Sequence, residues 1–157
     1  MLTPLYSFHA QVDGRYATDS ELQFAGHYFE SFQLRLSAYR KLQLAEMQIV
    51  QRVQNRVFQL DPHSAYNQPV SATTCQRDML FVLRYSAIAL LLDDTRLLEE
   101  NVLLWLQTIL RCFKDHQKRA DLSYQVMQDV VREFLTPIEA DLFCPILELD
   151  RRFLGVS

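Results

Sequence analysis

The chain has 157 residues, 49% of them hydrophobic, with only three glycines and five prolines, enough apolar mass for one core and few places for turns. A net charge of -3 and a pI near 5.8 provide no basic face for nucleic-acid phosphates or anionic lipid, so neither partner is expected. The longest apolar run, Ala87 to Leu92, is far shorter than the ~20 residues of a membrane span, and Met1 to Phe8 lacks a leader pattern, so a cytoplasmic protein without membrane insertion is expected.

Pro4 to Val12 reads as a short helix that stops at the Asp13-Gly14 turn, an arm over residues 1–17 set before a body over residues 18–157. Thr18 and Glu21 have capping-box spacing, and the Pro-free stretch that follows, with Phe29, Phe32, Leu36, Met47, Val50, Val53 and Val57 at helical steps, predicts one long helix to Leu60. Asp61-Pro62-His63 ends it, and a polar loop runs on through Tyr66, Asn67, Gln68 and Pro69. Thr73 or Thr74 is then expected to cap a helix to Leu92 with Met79, Val82, Leu83, Ile88 and Leu91 inward, which places Cys75 in its first turn. Thr95 with Glu99 opens the next helix, reaching about Lys114, with Leu97, Leu104, Trp105, Leu106 and Ile109 facing the core. The charged run Lys114 to Arg119 is read as a solvated connection; a helix over about 123–135 and a last one from Pro137 to Phe153 complete the chain. The fold class expected is all-α, with bundle and globin-like packing both open.

Three cysteines, odd in number and with no Cys-x-x-Cys pair, predict free thiols; Cys112 and Cys144, without polar context, read as buried structural ones. Cys75 differs. It heads Cys75-Gln76-Arg77-Asp78, followed by Val82-Leu83-Arg84-Tyr85, so that Cys75 and Asp78 share a helix face with Arg77 on its flank. A thiol in a first turn beside Arg favours the thiolate, Asp78 offers a carboxylate to pyrrole N–H groups, and Arg77 and Arg84 offer guanidinium forks to propionates. The bland reading is a core thiol beside a surface ion pair. His9, His27, His63 and His116 read as surface residues, which leaves no axial haem ligand, although His63, Tyr66 and Asn67 stand in the loop leading to Cys75 and are placed to touch a ligand's rings. No triad, paired-carboxylate or phosphate-loop signature occurs, and no enzyme is expected.

The Cys75-to-Tyr85 segment resembles the phycobiliproteins, the light-harvesting proteins of cyanobacteria and red algae, whose pigment-bearing helix carries Cys-x-Arg-Asp and then Leu-Arg-Tyr-like residues. The resemblance runs on to Phe113, and Gln11 to Arg15, Ser20-Glu21-Leu22 and Leu149-Asp150-Arg151 look like the family's arm, first body helix and last-helix ending. It implies a globin-like fold with an N-terminal helical extension over the single domain 1–157. It implies a bilin, an open-chain tetrapyrrole such as phycocyanobilin or biliverdin, joined by a thioether to Cys75. Asp78 would hold the pyrrole nitrogens, Arg77 a propionate, Arg84 a propionate or a subunit contact with Asp13, and Tyr85 would lie beside the pigment. Homo- or hetero-oligomers with similar subunits, a bilin reductase or lyase as partner, and a place at the thylakoid surface through an assembly are also implied. The chain departs from the pattern in a shorter loop before Cys75, in Leu92-Asp93-Asp94 where the family has Ala-Gly-Asp, and in Ile88 at an aromatic position. Light harvesting, a carrier role in bilin biosynthesis, and a bilin-free regulatory or interaction globin are the functions these features leave open.

Overall fold

The computed structural model describes residues 4–64 and 69–156. Helix α1 (Pro4–Gln11) buries none of its residues and ends at a turn where Gly14 takes a φ of 74°. Arg15 fastens this arm, donating to the Gln11 carbonyl at 2.9 Å and to the Glu21 carboxylate at 2.7 Å. Helix α2 (Asp19–Leu60) begins at the expected capping box, with the Thr18 N–H donating to Glu21 Oε2 at 2.8 Å. Its buried face runs from Tyr28 to Val57 at helical steps, whereas Phe29 and Met47, which also recur at helical steps, are exposed.

Helix α3 (Pro69–Leu92) starts earlier than the threonines suggested. Thr73 and Thr74 do not cap it: their hydroxyls donate back to the Pro69 and Val70 carbonyls at 2.9 and 3.1 Å, the bonding of hydroxyls inside a helix. Pro69 suits a helix start because the N–H it lacks would find no intrahelical acceptor there. At the other end the Asp94 N–H reaches the Ala89 carbonyl and the Asp93 N–H the Leu90 carbonyl, at 3.0 and 3.2 Å, with Asp93 at φ 53°. That is a Schellman ending with an aspartate where glycine is favoured.

The next segment is one rod of three parts: α4 (Arg96–Leu98), a π-helical turn (Glu99–Leu103) and α5 (Leu104–Leu110). Asp94, not Thr95, caps it, accepting from the Arg96 N–H at 3.0 Å, while the Thr95 hydroxyl donates to Glu99 at 2.7 Å. The π turn inserts one residue and rotates everything after it. Leu98, Val102, Leu103 and Leu106 are therefore the buried residues, and Leu104, Trp105 and Ile109, expected inward, are 50%, 57% and 43% exposed. The charged run is helical too, forming the start of α6 (Lys114–Val131). Helix α7 (Pro137–Leu154) follows a second capping box, Thr136 with Glu139.

Helix α2 packs on α3 and α6, α6 on α7, and α7 crosses α3, with the core among them and no strand among the described residues. The architecture is all-α and globin-like, with the helical arm as N-terminal extension. Polar groups tie the crossings. Glu139, 2% exposed, receives the Lys41 ammonium at 2.7 Å and the Ser37 hydroxyl at 2.7 Å. Asp150 is fully buried, and Ser86 Oγ lies 2.8 Å from both Asp150 Oδ2 and the Val82 carbonyl. A hydroxyl has one hydrogen; when it serves Val82, a protonated Asp150 can donate to its oxygen.

Two predictions follow from these ends and crossings. Asp93→Gly removes the left-handed strain and should raise stability by about 1 kcal/mol in urea unfolding, with an unchanged urea slope. Burial pushes the Asp150 carboxyl from 3.8 up to about 8. The folded protein thus keeps a proton that the unfolded chain has lost, so this group's stabilisation is full below about pH 4 and drains away as pH rises toward 8. Asp150→Asn should flatten stability across that window and gain roughly 1–3 kcal/mol at its upper end, read by urea titrations at several pH values.

Candidate functional site

Cys75 lies in the second turn of α3, past the unsatisfied N–H groups of the helix start, so the expected first-turn assistance does not reach it. Its thiol is half-buried, and burial pushes it up from its ordinary range; Arg119 opposes the rise and Asp78 adds to it. The cation that acts on Cys75 therefore comes from α6. Arg77 is instead 75% exposed and turned onto Asp78, donating through Nε and Nη2 to Asp78 Oδ1 at 3.1 and 3.0 Å.

Cys75 and Asp78 open into a cleft of about 370 Å³ whose α3 side also carries Val70, Thr74 and Arg77. Its opposite wall is Trp105 and Ile109 of α5, with Phe113 and His116 beyond. A narrower pocket of about 60 Å³ continues beneath, where Cys75, Asp78 and Met79 meet Leu106 and, from α6, His116, Arg119 and Tyr124. Tyr124 is 3% exposed, and burial, with Asp150, Asp78 and Cys75 nearby, raises its phenol well above the ordinary range. The His116 ring lies 5.0 Å from that of Phe113. An apolar wall, one thiol, one carboxylate and the Arg77 guanidinium face one space, with Arg119 on the narrow pocket beneath, which suits a flat, conjugated ligand with N–H donors and acidic side arms.

The other sequence-nominated residues lie elsewhere. Arg84, nine residues beyond Cys75 and so half a turn round α3, forms a two-point ion pair with Glu46 at 2.8 and 2.7 Å. It lines a separate groove of about 350 Å³ between α2 and α3, with Tyr39, Leu42 and Ile88. Tyr85 is half-buried against the core, its ring 5.0 Å from Phe81. Asp13 is exposed at the arm's turn. Cys144 is buried as expected, but Cys112 is exposed at the end of α5. His63 is exposed beside a polar depression with Asp115 and Lys118, whereas Tyr66 and Asn67 lie outside the described residues.

The sequence reading missed the far wall of the cleft. Trp105 and Ile109 were assigned to the core because a π turn leaves no mark in an apolar pattern. His116, Arg119 and Tyr124 were hidden by reading the charged run as a loop, although His116, Arg119, Ala120, Ser123 and Tyr124 follow one another at helical steps. No helix among the described residues is long and apolar enough to cross a membrane.

A family model described as "Phycobilisome protein" matches residues 8–152. The chain is similar to the allophycocyanin subunit beta-18 of Synechocystis sp., 31% identical over 97 residues, which take in 59% of this chain and 57% of that protein's length. The aligned part thus spans little more than half of the curated relative.

Proposed function

The chain belongs to the phycobilisome protein family, and from that premise we propose that it holds a bilin, such as phycocyanobilin or biliverdin, in the cleft at Cys75 for light harvesting in a phycobilisome-like assembly. The observation that carries this reading is the cleft itself, in which a half-buried thiol and an acceptor carboxylate one helical turn apart face an exposed apolar wall. A bound bilin supplies the conjugated system that absorbs visible light. The chain supplies position and shape. Cys75 provides the sulfur for a thioether. Both Arg77 contacts land on Asp78 Oδ1, which leaves Oδ2 directed to pyrrole N–H groups. Arg77, largely exposed, can swing from Asp78 to a propionate, and Trp105 and Phe113 pack against ring faces and keep water from them. Holding the rings flat and still preserves the excitation that rotation would dissipate.

Residues 1–157 act as one domain in this reading, with residues 1–17 as a pairing arm, Asp13 of one copy meeting Arg84 of another. The protein serves as a pigment holder rather than a catalyst, in the cytoplasm and peripheral to thylakoids through its assembly. A bilin reductase or lyase supplies or attaches the pigment. A second reading, a carrier in bilin biosynthesis, is favoured by one feature: Arg84 is already held by Glu46, with Ile88 rather than an aromatic beside it, so the expected pairing surface is occupied within the chain.

Co-production with haem oxygenase and a bilin reductase tests the main reading, with zinc-induced fluorescence on denaturing gels for wild type and Cys75→Ala. A sharp, fluorescent red-region band that survives denaturation only with Cys75 is expected, and Asp78→Asn should broaden it. A weakly fluorescent band lost on denaturation selects the carrier; retention of no pigment overturns bilin binding and leaves a bilin-free regulatory or interaction globin. For pairing, sedimentation velocity of Asp13→Ala and Arg84→Ala should show association weakened by roughly tenfold in each. Unchanged assembly in both excludes that contact.

A further inference from the structure

We propose that Arg119, contributed by α6, is the residue that readies Cys75 for thioether formation, in place of the neighbouring Arg77. The inference rests on the reading of Cys75 as the attachment point. In that addition the Cys75 sulfur bonds to one carbon of an exocyclic C=C bond and the thiol proton ends on the other, so no oxidant or reductant enters. The attacking form is the thiolate, and its concentration sets the rate.

Three observations place Arg119 in this role. It lines the narrow pocket with Cys75, where its guanidinium is half-buried and its field is screened less than that of a surface charge. Arg77, the cation nearest in sequence, is 75% exposed and spends its charge on Asp78. Asp78, one turn along on the same face, works in the opposite sense, disfavouring the thiolate that Arg119 favours. The two charges come from different helices and pull on one sulfur. A ligand whose N–H groups engage Asp78 draws its negative charge away and leaves Arg119 to act, so that occupation of the cleft itself activates the nucleophile.

The groups that face Cys75 are Asp78 and, across the wider cleft, Arg77 on its own helix, and His116, Arg119 and Tyr124 on α6; Leu106 and Leu110 on α5 bring no charge, and Asp150 of α7 reaches the site through Tyr124. The test is the rate of Cys75 alkylation by iodoacetamide against pH in pigment-free protein, in a Cys112→Ser background, followed by peptide mass spectrometry. Arg119→Gln should slow alkylation at neutral pH by roughly three- to tenfold and move the pH midpoint upward, and Arg119→Lys should restore most of the rate. Asp78→Asn should move the midpoint downward, and Lys118→Gln, a neighbouring exposed cation, should leave it unchanged. An Arg119→Gln protein with the wild-type midpoint overturns the proposal, as does an equal effect of Lys118→Gln. Because no pigment is present, this result stands apart from the pigment-retention experiment: a shifted midpoint with no pigment retained would refute the bilin reading while leaving the thiol activation intact.

Discussion

Arg35 is buried to 2% exposure where α2 crosses the end of α3, and it donates to the Leu91 carbonyl at 2.6 Å and to the Tyr28 carbonyl at 2.7 Å. A guanidinium is tolerated there because it donates to the Leu91 carbonyl, which the end of α3 leaves unsatisfied, and to the Tyr28 carbonyl within α2, and because the Tyr28 ring lies 4.4 Å beneath it. The negative end of the α3 dipole favours a cation at the same spot. This clamp fixes where α3 stops, and with it the Schellman ending at Asp93 and the direction in which α4 departs. Ser86 and Asp150 pin α3 a second time, to α7. A helix held at its end and its middle has no freedom to roll, so the face that carries Cys75 and Asp78 is committed to the space beside α5 and α6.

That commitment explains the surface. Trp105, Ile109 and Phe113, each between 43% and 57% exposed, stand opposite an α3 wall that bears the thiol and the acid. Apolar side chains of this size grouped round a concavity are what a soluble chain normally buries. Here the core beneath is already filled by Leu98, Val102, Leu103 and Leu106, so that among the described residues these side chains stay uncovered. Under the proposed bilin reading, the flat pigment covers these side chains without a helix moving, and Asp78 with Arg77 sets its orientation.

Local chemistry made much of this readable from the sequence. Both capping boxes announce themselves through residue type and spacing alone, and so do the absence of proline from α2 and the break at Asp61-Pro62. The Cys75–Asp78 relation needed only the knowledge that three residues make nearly one turn. What failed was reasoning that assigned one meaning to residues with two. A threonine hydroxyl caps a helix or bonds back within it, and Thr73 and Thr74 do the second. Charged residues mark a loop or the wet side of a helix, and from Lys114 to Arg119 they mark the helix α6. The α6 half of the site was illegible for a further reason. His116, Arg119 and Tyr124 lie some forty to fifty residues beyond Cys75, and only the packing of α6 on α2 and α7 brings them to the pocket that Cys75 lines.

The π turn at Glu99–Leu103 joins α4 to α5 and sets which side chains α5 turns to the cleft. Such a turn is rare and occurs mostly as a single insertion inside an α-helix, so its effect is read from the register it changes. The register after it shows what is obtained. Without the inserted residue, α5 would be turned by about 100° and Trp105 would swing from the cleft, in the direction the unbroken apolar pattern predicts. Leu98 before the turn and Val102 and Leu103 within it already supply the core, so the rotation costs little packing there. It gives the cleft its far wall. One rod thus fills the core with Leu98, Val102 and Leu103 and, after the change of register, lines the cleft with Trp105 and Ile109.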